Sequence, residues 1–372
     1  MQTASVEITD TSISELRIEE YANIESLEGL RDQWNDLARR VNLSPAEEFE
    51  WLKTLWEFHR ANRVLLVLVA RDDAGITGIA PLVKGIERRK GMRVQVLRML
   101  GSFHSLHGTP FLLDRRPDET LNAFVNHLTK YHGDWALWFT GCVRGSPQEA
   151  MLFASFARRG YQIVTENAES SPYLELQGTF EEKVQMLQPR FRTSLRSRER
   201  RLKEKGKLEL RFLDSVELWE KGLDAIREIE EDSWKVDAGT AITAQDFQWQ
   251  FYRRYTPIAA SAGTLRIPIL YLDDEPLAYD YALLHRGVYY LMKTSYKNKW
   301  HDSYPGFVLR YRLMAWTYLQ HAAEIDFLGK NEDWKMKWTE TVRPHVIHVV
   351  FNRNFSGSYL RACHRATSWV RK

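Results

Sequence analysis

A tyrosine, a proline and a glycine at positions 304–306 stand where a strand-like segment gives way to a helical one. Val288–Tyr296 reads as a strand, and the apolar spacing after Gly306 predicts a helix over 307–320. Proline fixes φ near the helix start, and glycine lets the backbone approach a ligand closely. The free N–H groups and the dipole of a helix start suit a diphosphate. The pattern indicates a phosphate-binding loop, with an ordinary Pro-Gly helix start as the alternative.

Two acidic residues stand within apolar, strand-like segments. Asp280 lies between two tyrosines, and Asp326 lies between an isoleucine and a phenylalanine. Burying a carboxylate is costly unless it is paired, so an acid in such a place needs a partner or a function. Lys335 or Lys337 could pair with Asp326. Both acids are candidates for a functional role, and a purely structural ion pair is the alternative.

The composition limits the class of protein. The chain has 372 residues, of which 44% are hydrophobic and 27% charged, values typical of a globular protein with two domains. The longest apolar run, 64–70, is strand-sized, whereas ~20 residues are needed to span a bilayer. The first residues lack the basic start and apolar core of a signal peptide. We therefore expect a cytoplasmic protein without a transmembrane segment.

Other chemistries have weak support in the sequence. The motifs G-x-S-x-G, Walker A, G-x-G-x-x-G and H-E-x-x-H are absent. His104 and His107 lie near Asp114 without a clear further ligand. The two cysteines, Cys142 and Cys363, exclude a disulfide framework and a cysteine-based zinc site, and no nearby base activates Cys142. We expect neither a metal nor a nucleophilic cysteine.

Positive charge is concentrated in residues 190–207. This segment holds nine Lys/Arg and two Glu, a local charge of 9 − 2 = +7, so the rest of the chain carries 3 − 7 = −4. Such a block can bind phosphates, RNA or an anionic membrane surface. It can equally be a solvated helix with Phe191, Leu195 and Leu202 as its buried stripe. A solvated helix, an anionic ligand and contact with a membrane all stay open.

The predicted elements occur in the same order twice. In each half, two helices precede a hairpin around an Asp-Asp turn, at 72–75 and at 273–276. A strand, a loop, a helix, a strand, a helix and a strand then follow. We predict two related α/β domains over 1–178 and 179–351, followed by a basic tail or helix over 352–372. Because only the second half has the Pro-Gly pair, we expect the first domain to lack a cofactor loop.

An ordered series of short motifs runs through the second half. It comprises EDSWK at 231–235, GT at 239–240, LR at 265–266, LMKTSY at 291–296, YPG at 304–306, IDFLG at 325–329 and WKMKW at 334–338. The series resembles the CelD-like family of GNAT-type acyltransferases and, more distantly, is similar to the double-GNAT Fem peptidyltransferases. It is strongest from 180 to 339. One departure is that family members tend to have acidic residues after the tyrosine, where this chain has Lys297 and Asn298.

The resemblance implies a fold and a donor site. The fold would be two tandem GNAT-like α/β domains with mixed, partly splayed sheets. The pantetheine of acetyl-CoA or another acyl-CoA would lie in a gap between the strands 288–296 and 324–328. The CoA diphosphate would meet main-chain N–H groups of a loop made of Ser303, Tyr304, Pro305, Gly306, Phe307 and Val308.

The resemblance also suggests roles for side chains. An attacking amine must be neutral, so a base must take its proton, and the oxyanion needs a donor. We expect Asp326 or Asp280 to be the base, with a role as a substrate ligand as the alternative for Asp280. We expect Tyr296 or Tyr304 to donate to the oxyanion or the leaving thiolate. The acceptor would be bound by the side chains of Trp234, Lys235, Lys293 and Lys335.

Three functions are consistent with this sequence. The first is an acyl-CoA-dependent N-acyltransferase whose acceptor is an amino sugar or another envelope or exopolysaccharide intermediate. The second is a Fem-like ligase that uses aminoacyl-tRNA, with the anionic ligand of 190–207 being RNA; no other nucleic acid is expected. The third is a non-catalytic GNAT-fold scaffold in polysaccharide biosynthesis.

Overall fold

The chain forms two large sheets. The computed structural model describes residues 15–41, 44–101, 111–237, 239, 241–243 and 246–370. Within them, and numbered in chain order, the first sheet has eight strands: β1 Arg17–Tyr21, β2 Arg63–Asp72, β3 Gly75–Arg89, β4 Met92–Met99, β5 Leu112–Leu113, β6 Leu137–Val143, β7 Gln162–Asn167 and β16 His345–Phe351. The second sheet also has eight described strands: β8 Ser171–Glu175, β9 Leu208–Phe212, β10 Leu265–Arg266, β11 Pro268–Leu272, β12 Glu275–His285, β13 Val288–Tyr296, β14 Glu324–Asp326 and β15 Val342–Arg343.

Helices pack on both sheets. The described part of the chain has eleven α-helices: α1 Arg31–Arg40, α2 Phe49–His59, α3 Pro117–Tyr131, α4 Pro147–Ala157, α5 Phe180–Met186, α6 Pro189–Lys203, α7 Trp219–Glu231, α8 Trp234–Asp237, α9 Asp246–Ser261, α10 Pro305–Leu319 and α11 Phe355–Val370. Short 3-10 helices cover Glu25–Leu30, Pro45–Glu47 and Asn298–Ser303. None of the described helices has the length and apolar character that crossing a membrane requires.

Both sheets follow the same plan. The strand order is β1-β2-β3-β4-β6-β16-β7 in the first and β9-β11-β12-β13-β14-β8-β15 in the second. In each, an antiparallel meander meets a parallel pair, β4 with β6 and β13 with β14. Two further antiparallel strands complete each sheet. The repeated order of elements read from the sequence therefore corresponds to a repeated topology.

The two halves of the chain exchange strands. β16, the last strand, pairs with β6 and β7 in the first sheet. β8 follows β7 in the chain but joins the second sheet between β14 and β15. We predicted the strand 346–351 as the end of the second domain, whereas its backbone partners lie in the first sheet. Periodicity predicts that a segment is a strand but carries no information about which sheet the strand joins.

The two domains share a core. α2 of the first domain packs on α9 of the second, and the fully buried Trp51 ring lies 4.8 Å from the rings of both Phe251 and Tyr255. Edge-to-face aromatic pairs of this kind contribute about 0.5–1.5 kcal/mol each beyond their area. The same cluster includes Tyr279 and Tyr281 of β12. One face of the second sheet is therefore packed towards the first domain.

The C-terminal region differs in part from its prediction. Residues 352–372 were predicted as a tail or helix, and the structure has the helix α11 there. The short helix predicted near 332–339 is instead a series of turns. Its side chains are anchored one by one: Trp338 packs on Phe191, with ring centroids 5.1 Å apart, and the ammonium of Lys335 caps backbone carbonyls. These anchors override the local preference for a helix.

Candidate functional site

The second sheet opens between β13 and β14. The two strands pair in parallel from Val288 opposite Glu324 to Tyr290 opposite Asp326. β14 ends there, whereas β13 continues to Tyr296 and pairs with β12 on one side only among the described strands. A bulge leaves Met292 as an extra residue on β13, and bulges re-aim side chains next to functional sites. The pairing of the two strands therefore ends in the region where the sequence predicts a gap.

The helix α10 starts at the open end of β13. Tyr304 has a left-handed backbone (φ 51°, ψ 53°), and Pro305 occupies the first helical position. The N–H groups of Phe307 and Val308 bond to the Tyr304 carbonyl at 3.1 and 3.4 Å, whereas the Gly306 N–H meets no acceptor among the described residues. Of the six loop residues predicted to bind the diphosphate, Gly306 therefore offers a main-chain N–H group without an acceptor. Ser303 lies in the preceding 3-10 helix, Asn298–Ser303.

The first domain repeats this backbone geometry, but with acidic residues in the first turn of the helix. α3 also begins with a left-handed residue, Arg116 (φ 56°, ψ 48°), before Pro117. Its first turn carries Asp118 and Glu119, whereas the first turn of α10 has no acid. Carboxylates at a helix start compete with a phosphate for the same positive end of the dipole. This contrast makes the start of α10 the better suited of the two helix starts for an anion.

Arg198 adds positive charge beside the start of α10. Its guanidinium carbon lies 3.9 Å from the ring centre of Tyr304 and 5.1 Å from that of Phe307. The Nη1 atom is buried without a hydrogen-bond acceptor in the described structure. Burial lowers the pKa of this arginine. The sequence placed Arg198 in the basic segment but gave no reason to single it out.

Asp280 is held in a buried ion pair. Its carboxylate is fully buried on β12 and accepts hydrogen bonds from both Nη atoms of Arg310, with Nη2 2.7 Å from Oδ1. The Tyr289 hydroxyl also donates to it at 3.3 Å. Burial raises the pKa of Asp280, and the arginine opposes that rise. A purely structural ion pair fits the geometry of Asp280 better than a role as a base, because both carboxylate oxygens already accept hydrogen bonds.

Breaking this pair should destabilise the protein. Arg310→Met would leave the Asp280 carboxylate buried without its counter-ion, and we expect the free energy of unfolding to fall by about 3–5 kcal/mol. The double variant with Asp280→Leu should recover most of that loss, since it removes both charges. Urea denaturation of the three proteins measures the effect. A single variant within about 1 kcal/mol of the parent would show that the pair contributes little.

Asp326 is also paired, but with a partner that the sequence did not predict. Its fully buried carboxylate accepts from Arg343 Nη1 at 2.9 Å, Ser171 Oγ at 3.1 Å and the Leu328 N–H at 2.8 Å. We expected Lys335 or Lys337 as its partner. Lys335 instead donates to the carbonyls of Leu328 and Lys330, at 2.7 and 3.0 Å, and pairs with Glu332. Asp326 therefore fixes the end of β14 rather than facing the gap with a free oxygen.

A second polar cluster lies on the opposite side of the sheet from α10. The buried carboxylate of Glu230 accepts from the Tyr279 hydroxyl at 2.5 Å and from the Ile242 N–H at 2.9 Å. Lys235 donates to the Thr294 carbonyl at 2.6 Å and lies 3.4 Å from Glu230. This lysine thereby ties α8 to β13. Glu230 was missed by the sequence analysis, although a glutamate on the apolar face of α7 is a signal of the same kind as Asp280.

Lys293 belongs to the same side of the sheet and has a perturbed pKa. Its ammonium donates to Gln248 Oε1 of α9 at 2.8 Å. Burial and the charge of Lys235 lower the pKa of Lys293 to about 8. An amine with such a pKa is partly neutral near physiological pH. Lys293 and Lys235 lie on the same side of the sheet, and Trp234 is 44% exposed at the start of α8.

The remaining predicted residues lie close to the helix start or outside the described chain. Tyr296 ends β13, and an ideal Cβ on Gly306 would lie 3.5 Å from its ring. Burial raises the pKa of Tyr296, so its hydroxyl keeps its proton. His104 and His107 lie outside the described residues. Burial raises the pKa of Cys142 to about 12, which makes it a poor nucleophile.

The basic segment is largely the helix α6. Phe191, Leu195 and Leu202 are its buried residues, as the solvated-helix interpretation predicted. The helix packs on α10, and Arg312 of α10 binds Glu199 at 2.8 Å. Arg196, Arg200 and Arg201 of the same helix are exposed.

The sequence of the second domain matches a known family. Residues 189–336 match the acetyltransferase (GNAT) domain. This span runs from α6 past β14 and contains the gap and the start of α10. No curated protein matches the chain by sequence.

Solved structures show the same fold at low identity. The structure of FemX aligns with a TM-score of 0.59 and 11% identity, over 88% of this chain and 96% of its own. A conserved protein of unknown function from Bacteroides thetaiotaomicron gives 0.58 and 12%, over 90% and 100%. The C-terminal domain of a putative lysylphosphatidylglycerol synthetase from Agrobacterium fabrum gives 0.51 and 10%, over 90% and 94%. The chain therefore has the predicted α/β fold of two tandem GNAT-like domains, while its likeness to the CelD-like family stays a prediction.

Proposed function

We propose that this protein is an acyl-CoA-dependent N-acyltransferase whose donor lies in the gap between β13 and β14. The observation that carries the proposal is the joint presence of that gap and an acid-free helix start at its open end. Pantetheine fits an opened strand pair because its amides can hydrogen-bond to main-chain groups of β13 that do not pair with β12, apart from the Thr294 carbonyl, which already accepts from Lys235. The diphosphate meets the Gly306 N–H, with the Arg198 guanidinium as counter-charge.

The chemistry requires a base on the side where the amine arrives. The face with α10 holds the donor diphosphate, so the amine approaches from the face with α9, where Lys293 lies. In its neutral form Lys293 takes a proton from the attacking amine as the nitrogen bonds to the thioester carbon. Main-chain N–H groups on the free edge of β13 stabilise the oxyanion. The C–S bond then breaks, and Tyr296 is placed to donate a proton to the leaving thiolate.

The acceptor is proposed to be an amino sugar or a related envelope or exopolysaccharide intermediate. This part of the proposal rests on the resemblance to the CelD-like family. The exposed ring of Trp234 beside the acceptor face supports it, because an exposed indole can stack against a sugar.

A Fem-like use of aminoacyl-tRNA is the second candidate, and the exposed arginines of α6 favour it. Three of them, Arg196, Arg200 and Arg201, are exposed on this helix next to α10. RNA bound there would lose affinity steeply as salt rises. The likeness to FemX concerns the fold alone at 11% identity.

Thermal unfolding with three ligands separates the candidates. Acetyl-CoA or a longer acyl-CoA at 100 times its dissociation constant should stabilise the protein by about 2.7 kcal/mol. The charge-reversal variant Arg196→Glu/Arg200→Glu/Arg201→Glu should keep that stabilisation. Stabilisation by bulk tRNA that is lost in this variant would instead support the aminoacyl-tRNA candidate. A protein that is stabilised neither by an acyl-CoA nor by tRNA would be the non-catalytic scaffold.

A further inference from the structure

Three metal-ligating side chains meet in the first domain. Cys142 near the end of β6, Glu149 in the first turn of α4 and His348 of β16 place their donor atoms within 4.8 Å of one another. Cys142 Sγ lies 3.4 Å from His348 Nε2, and Glu149 Oε1 lies 3.4 Å from the same nitrogen. Cys142 and His348 are each 2% exposed. The exchanged strand β16 supplies the histidine, so the sequence alone did not bring the three together.

Neighbouring groups fix the orientation of two of the donors. The Thr165 hydroxyl lies 3.1 Å from His348 Nδ1, which leaves Nε2 directed at the cysteine and the glutamate. Glu149 Oε2 accepts the Gly145 N–H at 2.5 Å, and the Glu149 N–H bonds to Ser146 Oγ at 3.3 Å. The carboxylate is therefore held by one oxygen, and Oε1 is presented to the histidine. Outer hydrogen bonds of this kind orient the ligands of metal sites.

The donor types, and the distances from His348 Nε2 to the other two donors, match a small tetrahedral cation. Zinc binds thiolate sulfur at about 2.3 Å and nitrogen or oxygen at about 2.0–2.2 Å, which puts tetrahedral donors roughly 3.3–3.7 Å apart. We propose that Cys142, Glu149 and His348 bind a divalent transition cation of the zinc class, with a fourth position left for water or another ligand. Coordination forms a metal–sulfur bond, and the thiol proton passes to water. Arg144 contributes an opposing positive charge near the site and is held by Asn167 at 2.5 Å.

The proposed site has an entry path. Cys142 lines a groove of about 420 Å³ that runs past the start of α3, with Phe111, Pro117, Gln148 and Met151 among its walls. In the first domain, β6 and α3 take the places that β14 and α10 have in the second domain. The groove of the first domain therefore corresponds in position to the donor gap of the second. The proposal departs from the expectation that this chain binds no metal. It is independent of the acyltransferase proposal, because it uses no residue of the second-domain site.

Cobalt binding to the full chain tests the site directly. After treatment with EDTA and gel filtration, the protein is titrated with CoCl2 and then with ZnCl2. We expect one equivalent of cobalt to give a thiolate-to-cobalt charge-transfer band and the visible bands of a four-coordinate ion, both removed by zinc. Cys142→Ser should lose the charge-transfer band, and Glu149→Gln should weaken cobalt binding at least tenfold while circular dichroism confirms the fold.

Two matched controls exclude other donors. Cys363→Ser removes the second cysteine and should keep the band. His127→Ala/His132→Ala removes the histidines of another three-donor cluster, with Glu20, and should keep it too. Absence of a thiolate band in the parent, or its persistence in Cys142→Ser, would overturn the proposal.

Discussion

Gly306→Asp is expected to weaken acyl-CoA binding by at least about 100-fold while leaving the protein folded. A Cβ at this position would meet the Tyr296 ring at 3.5 Å, an ordinary van der Waals contact, so the side chain itself fits. The carboxylate would place a negative charge where the diphosphate binds and would occupy the positive end of the α10 dipole. Each charge-assisted bond lost costs about 1.5–3 kcal/mol, and repulsion adds to it. Isothermal titration with acetyl-CoA measures the change.

The first domain contains a natural counterpart of this variant. Asp118 follows Pro117 at the start of α3, as Gly306 follows Pro305 at the start of α10. Gly306→Ala is the matched control and should bind acetyl-CoA within about threefold of the parent, because it adds the Cβ without the charge. Unchanged affinity in Gly306→Asp, with a normal circular dichroism spectrum, would remove the diphosphate from this helix start.

Lys293→Met is expected to lower turnover by about 100-fold or more while acetyl-CoA affinity stays within a few-fold. A positioned general base contributes about 10²–10⁴-fold, and Lys293 lies on the acceptor face, away from the diphosphate. Because the pKa of Lys293 is lowered to about 8, the fraction of neutral base increases as the pH rises through that value. We therefore expect the rate of the parent to rise between pH 7 and pH 9. Release of CoA thiol with glucosamine as the acceptor provides the assay.

Two further variants separate a base from a charge. Lys293→Arg keeps the positive charge but cannot lose its proton near neutral pH, so it should be as slow as Lys293→Met. Lys299→Met changes an exposed lysine that pairs with Glu275 and should leave the rate and the pH profile unchanged. A fully active Lys293→Arg would assign the residue to electrostatic binding of the acceptor.

Local signals in the sequence were sufficient to predict helix starts and buried acids, but not the residues that pair with those acids. The start of α10 was predicted because Pro305 and Gly306 act on their own backbone. Asp280 and Asp326 were predicted as buried acids because apolar neighbours on a strand reveal burial. Their partners were not predicted, since Arg310 and Arg343 lie 30 and 17 residues further along the chain and meet the acids only through tertiary packing.

The exchange of strands shows the same limit at the level of the fold. β8 and β16 are short strands that the chain places beside the sheet of the other half. Their hydrophobic pattern would suit either sheet, and the choice depends on long-range pairing. The cluster of Cys142, Glu149 and His348 also depends on this long-range pairing, because its histidine lies on β16. The repeat of architecture could be predicted from the sequence, whereas the crossing between the copies could not.

A crystal structure of the protein with bound CoA tests the central claim most directly. The account predicts the pantetheine between β13 and β14, and a diphosphate oxygen within hydrogen-bond distance of the Gly306 N–H, with the Arg198 guanidinium nearby. A diphosphate bound elsewhere, or a gap closed by side chains with CoA excluded, would contradict it.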